Sequence, residues 1–176
     1  MLTPLGESKM PTALFITRED LVRNTALGGN VDTDKFIQFV KIAQEIHIQN
    51  YLGTQLYNKI STDILAGTLT GNYLDLVNTY VQPMLIHFAM VEYLPFAAYT
   101  IANRGVYKHN SENGETVEKE EVDFLVGKEQ KIADYYATRF ISYMNFYAAS
   151  LFPEYYANKN NDVYPDSESN YTSWVL

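Results

Sequence analysis

YLDLVNTYVQPMLIHFAMVEYLPFAAYTIAN, residues 73–103, decides the fold. Leu74, Val77, Val81, Met84, Leu85, Phe88 and Val91 recur at intervals of three and four, which lines side chains up along one face of an α-helix. Past His87 the segment is apolar on most faces, so its helix belongs at the centre of a bundle or between subunits. Pro83 and Pro95 predict bends within it, because proline lacks an amide donor and presses on the preceding turn. His87, Glu92 and Pro95 also interrupt its hydropathy, and an ionisable group near mid-bilayer costs about 3 kcal/mol or more. No membrane span is expected.

A second long helix comes next. Val122, Leu125, Val126, Ile132, Ala133, Tyr136, Phe140, Met144, Tyr147 and Leu151 form one stripe, with Lys128, Lys131, Asp134 and Arg139 outside and Pro153 as the stop. Between the two lies a polar, acidic excursion, read as a loop or small hairpin. Upstream, Thr17-Arg18-Glu19-Asp20 reads as an N-cap with acidic first-turn residues, opening a short helix to about Asn24. Phe36, Phe39, Val40, Ala43, Ile46 and Tyr51 mark an amphipathic helix, Leu52-Gly53-Thr54 a corner, and Leu56, Tyr57, Ile60, Ile64 and Leu65 a third stripe ending at Gly67. Alternating strand patterns occur only near Val106 and Val117. The expected class is all-α: a helical bundle with two long antiparallel helices, an acidic loop or small hairpin between them, and an extended C-terminal arm. The expected divisions are a flexible leader over 1–16, a helical domain over 17–152 and the arm over 153–176.

The arm is polar and rich in Asn, Ser and Asp, yet carries Phe152, Tyr155, Tyr156, Tyr164, Tyr171 and Trp174. Large aromatics along a segment without apolar periodicity point to docking on another surface, so these six are candidate interface residues; folding back over its own domain is the alternative. With 15 tyrosines, many clustered around the last helix, the chain has more than core packing uses, and tyrosine suits wet protein interfaces.

Composition narrows the function classes. The 176 residues suit one domain, and the absence of cysteine excludes disulfides, thiolate zinc sites and a cysteine nucleophile. A formal net charge of -8, with no basic cluster, disfavours tight binding to nucleic acid. The N-terminus shows no basic start leading into an apolar run, so no export signal is expected. The histidines and carboxylates do not assemble at catalytic or metal-ligating helix spacings, and no phosphate loop is present, so neither enzyme activity, cofactor nor metal is expected. His47 and His87 are read as structural, each hydrogen-bonded at a helix seam. Glu92, set among apolar residues, needs a partner, with Arg104 or Arg139 the candidates for a buried ion pair. Lys108, Glu112, Glu115, Glu118, Glu120 and Glu121 form a candidate loop facing a channel or a neighbour, or a plain solvated tip.

The order of these parts resembles a known family. A short N-terminal helix and amphipathic helices lead to a long helix ending Ile101-Ala102-Asn103-Arg104-Gly105-Val106. A turn with Glu-Asn-Gly-Glu precedes Glu121-Val122-Asp123-Phe124-Leu125, and Phe152-Pro153-Glu154-Tyr155 leads to an aromatic terminus. Over residues 14–176 the pattern resembles the head–tail connector (adaptor) proteins of tailed bacteriophages, especially the crAss-like phages of gut Bacteroidales. The resemblance implies a non-catalytic virion protein that assembles as a ring, typically of twelve copies, beneath the portal vertex. There it joins the portal to tail or ring proteins and continues the channel through which DNA passes without specific binding. It also implies synthesis in the bacterial host cytoplasm, and terminal segments that reach neighbouring subunits. A generic intracellular helical interaction module, or less readily a small helical enzyme, are the competing classes.

Overall fold

A computed structural model describes residues 13–25, 33–97, 99–102, 105–108 and 119–168. Helix α1 spans Arg18–Asn24 and opens at the expected N-cap, Thr17, with a capping box: the Asp20 amide donates to Thr17 Oγ1 (3.3 Å), and the Thr17 amide donates to Asp20 Oδ2 (2.8 Å). Helix α2 (Thr33–Ala43) continues through a π-helical turn, Gln44–Ile48, into α3 (Gln49–Ala66). A π turn inserts one residue and rotates the helix beyond it. It turns Ile46, expected inside, out to 52% exposure, and Ile48 takes the buried place.

The second rod begins with α4 (Gly71–Leu76), passes a π turn at Val77–Val81 and becomes α5 (Gln82–Ala97). Pro83 sits just past that π turn, where the wider winding accommodates a ring that would crowd the carbonyl four residues back. The helix ends at Ala97, short of the expected Asn103. Past Pro95, Tyr99-Thr100-Ile101 favour extended backbone, and Tyr99–Ala102 (β1) pairs antiparallel with Gly105–Lys108 (β2), Tyr99 opposite Lys108 and Ala102 opposite Gly105. Helix α6 (Lys119–Leu151) runs 33 residues and leads into a 3-10 turn, Pro153–Tyr156.

The fold is thus an all-α bundle whose two long helices are antiparallel. Tyr80 early in the second rod stacks on Tyr143 late in α6 (4.3 Å), whereas His87, further along that rod, meets the earlier Tyr136 and Glu129. Helix α5 lies at the centre, burying Met84, Leu85, Ile86, Phe88, Ala89 and Met90 against α2 and α6. Helix α6 turns Ala133, Ala137, Phe140, Ile141, Met144 and Ala148 inward. Its small alanines bring the two rods close, and they displace Leu125, Ile132 and Tyr147, expected in the core, to the outside. Residues 13–16, expected in a loose leader, also belong to the core. Ala13, Phe15 and Ile16 are buried, and Gln44, itself buried, holds them: its side chain accepts from the Phe15 amide (3.0 Å) and donates to the Ala13 carbonyl (2.8 Å) and to Tyr57 Oη (2.9 Å). Among the described residues no helix is long and apolar enough to cross a membrane.

Candidate interaction surface

Glu92 has a partner, but neither of the expected arginines. The His47 ring Nε2 lies 2.8 Å from Glu92 Oε1, and the same imidazole stacks on Phe88 with centroids 4.1 Å apart. Arg104 lies outside the described residues. Arg139 makes no pair with Glu92 and sits within 6.0 Å of the rings of Tyr80, Tyr135 and Tyr136. His87 pairs likewise with Glu129 on α6, Nδ1 to Oε2 at 2.7 Å. Both pairs join different helices, so spacing within one helix held no signal for them. They fix helix register in two half-buried seams.

The C-terminal aromatics separate into two groups. Phe152 is fully buried with its ring edge-on to Tyr73 (5.3 Å), and Tyr155 is 3% exposed. Three apart at a 3-10 turn, they share one side of it and face the bundle, so both are core residues, not contacts for another chain. Tyr156 and Tyr164 are exposed at 62% and 60%; Tyr171 and Trp174 lie outside the described residues. Burial pushes the Tyr155 hydroxyl up to about 12.

From Ala157 to Asp166 the arm lies across its own domain. The cause is the corner at Gly53, whose backbone (φ 72, ψ 160) breaks α3 internally. Such a break leaves amides on one side and carbonyls on the other without helical partners. The arm supplies them. The Thr54 amide donates to the Val163 carbonyl (3.0 Å), the Gln55 amide to Asn158 Oδ1 (3.2 Å), and the Asp166 amide to the Asn50 carbonyl (2.8 Å). The Val163 amide in turn donates to Thr54 Oγ1 (2.9 Å), and Gln55 Nε2 donates to Asp162 Oδ2 (2.6 Å). Hydrogen bonds from Gln55 and from the Lys159 amide hold the Asp162 carboxyl below the usual aspartate range.

An exposed, partly apolar surface runs along α6. Leu125, Lys128, Ile132, Tyr135, Arg139, Ser142 and Phe146 recur at three and four along its outer side, and Phe146 is 78% exposed. Beside its C-terminal half, Tyr80, Tyr135, Thr138, Arg139, Ser142 and Tyr143 line an open groove of about 450 Å³. Its composition, tyrosine around an arginine, is that of energetically dominant interface residues. No carboxylate pairs with Arg139 among the described residues. At the other end, Glu120 and Glu121 of the first turn flank the exposed Phe124 (63%) and Leu125 (46%). Of the other acidic-loop candidates, Lys108 ends β2, and Glu112, Glu115 and Glu118 lie outside the described residues.

A smaller polar cleft of about 250 Å³ lies between α1, α5 and α6, lined in part by Asp20, Asn78, Gln82, His87 and Tyr136. Asp20 is engaged in capping α1, and Gln82 donates to the Phe15 carbonyl (2.9 Å). Among the described residues, no group of three or more histidines and carboxylates is arranged to hold a metal ion.

A family model for DUF6712, a family of unknown function, matches residues 48–165. The chain belongs to that family. The matched span runs from the end of the first π turn to the strap over Gly53, and so takes in α3 to α6 and the groove. No curated protein and no solved structure matches the chain.

Proposed function

We propose that this chain is a structural subunit of a tailed-phage virion, assembling as a ring under the portal vertex to join head to tail. The observation that carries the reading is the exposed stripe on the longest helix. A small domain that has packed its core with phenylalanine, leucine, isoleucine and alanine still presents Leu125, Ile132, Tyr135 and Phe146 to solvent, and apolar stripes of this kind mark contact surfaces. The connector-like order of helices, hairpin and aromatic tail in the sequence supports the same reading. The subunit acts without cofactor, metal or catalysis; its partners are further copies of itself, the portal and a neighbouring tail or ring protein. Its net charge of -8 suits a channel through which DNA slides without adhering. Its place is the virion, after synthesis in the bacterial host cytoplasm.

Native mass spectrometry of the chain, alone and mixed with its candidate portal protein, tests this. Assembly of about twelve copies with the portal is the expected result, each weak contact being multiplied by the closed array. A second reading, a helical interaction module, is favoured by the groove around Arg139, which has the size of a site for one partner segment. A one-to-one complex in the same experiment would select it.

A further inference from the structure

The two ends of α6 are chemically complementary, and they cannot meet within one molecule. Glu120 and the exposed Phe124 and Leu125 stand at the N-terminal end; the Arg139 groove, walled by Tyr80, Tyr135 and Tyr143, stands nineteen residues along the same helix. At 1.5 Å per residue a straight helix holds Glu120 and Arg139 roughly 28 Å apart. We propose that a second copy of this chain fills the groove, with the first two turns of its α6: Glu120 pairs with Arg139, and Phe124 and Leu125 lie against the tyrosines.

This rests on the ring reading above and names the contact that would build it. The N-terminal end of α6 is anionic and apolar and the Arg139 groove is cationic and aromatic; these are different surfaces, so the contact is heterologous. Heterologous contacts propagate from copy to copy and close into a ring when the rotation between copies allows, whereas a self-complementary patch stops at a dimer. Both surfaces carry their exposed apolar groups beside the charge, so pairing removes water from the ion pair and strengthens its Coulomb attraction.

Charge reversal tests the contact. The full-length chain, Arg139→Glu, Glu120→Arg and the double variant are compared by native mass spectrometry, with and without the candidate portal, after circular dichroism has shown equal helicity. Either single reversal is expected to raise the concentration needed for assembly by about a hundredfold, and the double variant to recover to within about tenfold of wild type. Tyr135→Ala, which leaves the charges alone, should weaken assembly as well. If wild type assembles and the single reversals assemble equally, or the double variant is no better than the singles, this contact is wrong and the ring reading stands. A wild type that stops at a dimer overturns the head-to-tail arrangement. If it stays monomeric with and without portal, both fail.

Discussion

Residues 13–16 and residues 157–166 both lack regular secondary structure, yet they are held in opposite ways. The leading segment is an apolar peptide inside the bundle: Phe15 and Ile16 are buried, and two side-chain amides, those of Gln44 and Gln82, bond its backbone. The trailing strap is polar and lies on the surface, held by backbone pairing with the helix break at Gly53. Irregular chain inside a core requires an internal polar partner, because no water reaches it. Irregular chain on a surface requires only a complementary edge. The first should therefore be inseparable from global stability, and the second should come loose on its own.

The strongest test of that contrast is Gln44→Ala. It strands the Phe15 amide and the Ala13 carbonyl without partners and leaves a void beside Tyr57, at a cost of about 3 kcal/mol. Chemical denaturation should show the loss in the single transition of the whole domain. A separate, early transition confined to residues 13–16 would place the leader with the strap instead.

Gly53→Ala is next and acts locally. The φ of +72 with extended ψ is a conformation that side chains rarely adopt, and a Cβ there would lie 2.8 Å from Pro165 Cδ and Cγ and 3.1 Å from Asn158 Nδ2. The backbone strain costs about 2 kcal/mol, relieved in part by letting the strap go. Hydrogen exchange should speed up at the Thr54 and Asp166 amides while the amides of α5 and α6 keep their protection. Loss of protection throughout would mean that the strap is as integral as the leader.

Alkaline pH probes where the strap is rooted. Tyr73 donates to Glu154 Oε2 (2.7 Å), and burial, together with that bond and the carboxylate's charge, pushes its hydroxyl up to about 12; burial does the same for Tyr155. Both phenols hold their protons more tightly in the folded chain than in the unfolded one. Their stabilisation is therefore complete below pH 10 and is lost as pH rises from about 10 to 12, where the unfolded chain ionises first. Thermal stability should be flat from about pH 8 to 9.5 and fall beyond.

The helices are legible in the sequence because periodicity and punctuation agree: Thr17 caps α1, Gly67 ends α3, and Gly53 turns a corner. The π turns are not, since one inserted residue leaves no compositional trace, and that insertion exchanges Ile46 for Ile48 in the core. The exposed stripe on α6 reads inside out for a related reason. Leu125 and Ile132 share helical spacing with the core, and hydropathy assigns such large apolar residues to the interior, but Ala133, Ala137 and Ala148 occupy it. The alanines are the available signal: small residues recurring on one stripe mark a close helix seam. The apolar setting of Glu92 does announce a partner; that partner comes from another helix, which no spacing within α5 encodes.

The smallest effect belongs to the residue where the two groups of tail aromatics divide. Tyr155 is buried, and among the described residues its hydroxyl is without a hydrogen-bond partner, so its ring is anchored by packing while its oxygen is desolvated. Tyr155→Phe keeps the ring and removes the desolvated oxygen, so stability should be unchanged or rise by up to about 1 kcal/mol. Tyr73→Phe, which breaks a bond to a carboxylate, should instead cost about 1 kcal/mol. The pair discriminates because both substitutions delete the same atom. It also reaches the alkaline limb: without the Tyr155 phenol, one of the groups that lose their protons late in the folded chain is gone, and the decline above about pH 10 should become shallower. Equal losses from both variants would show that Tyr155 Oη has a partner in solution, and that the root of the strap is pinned by polar contacts as the leader is.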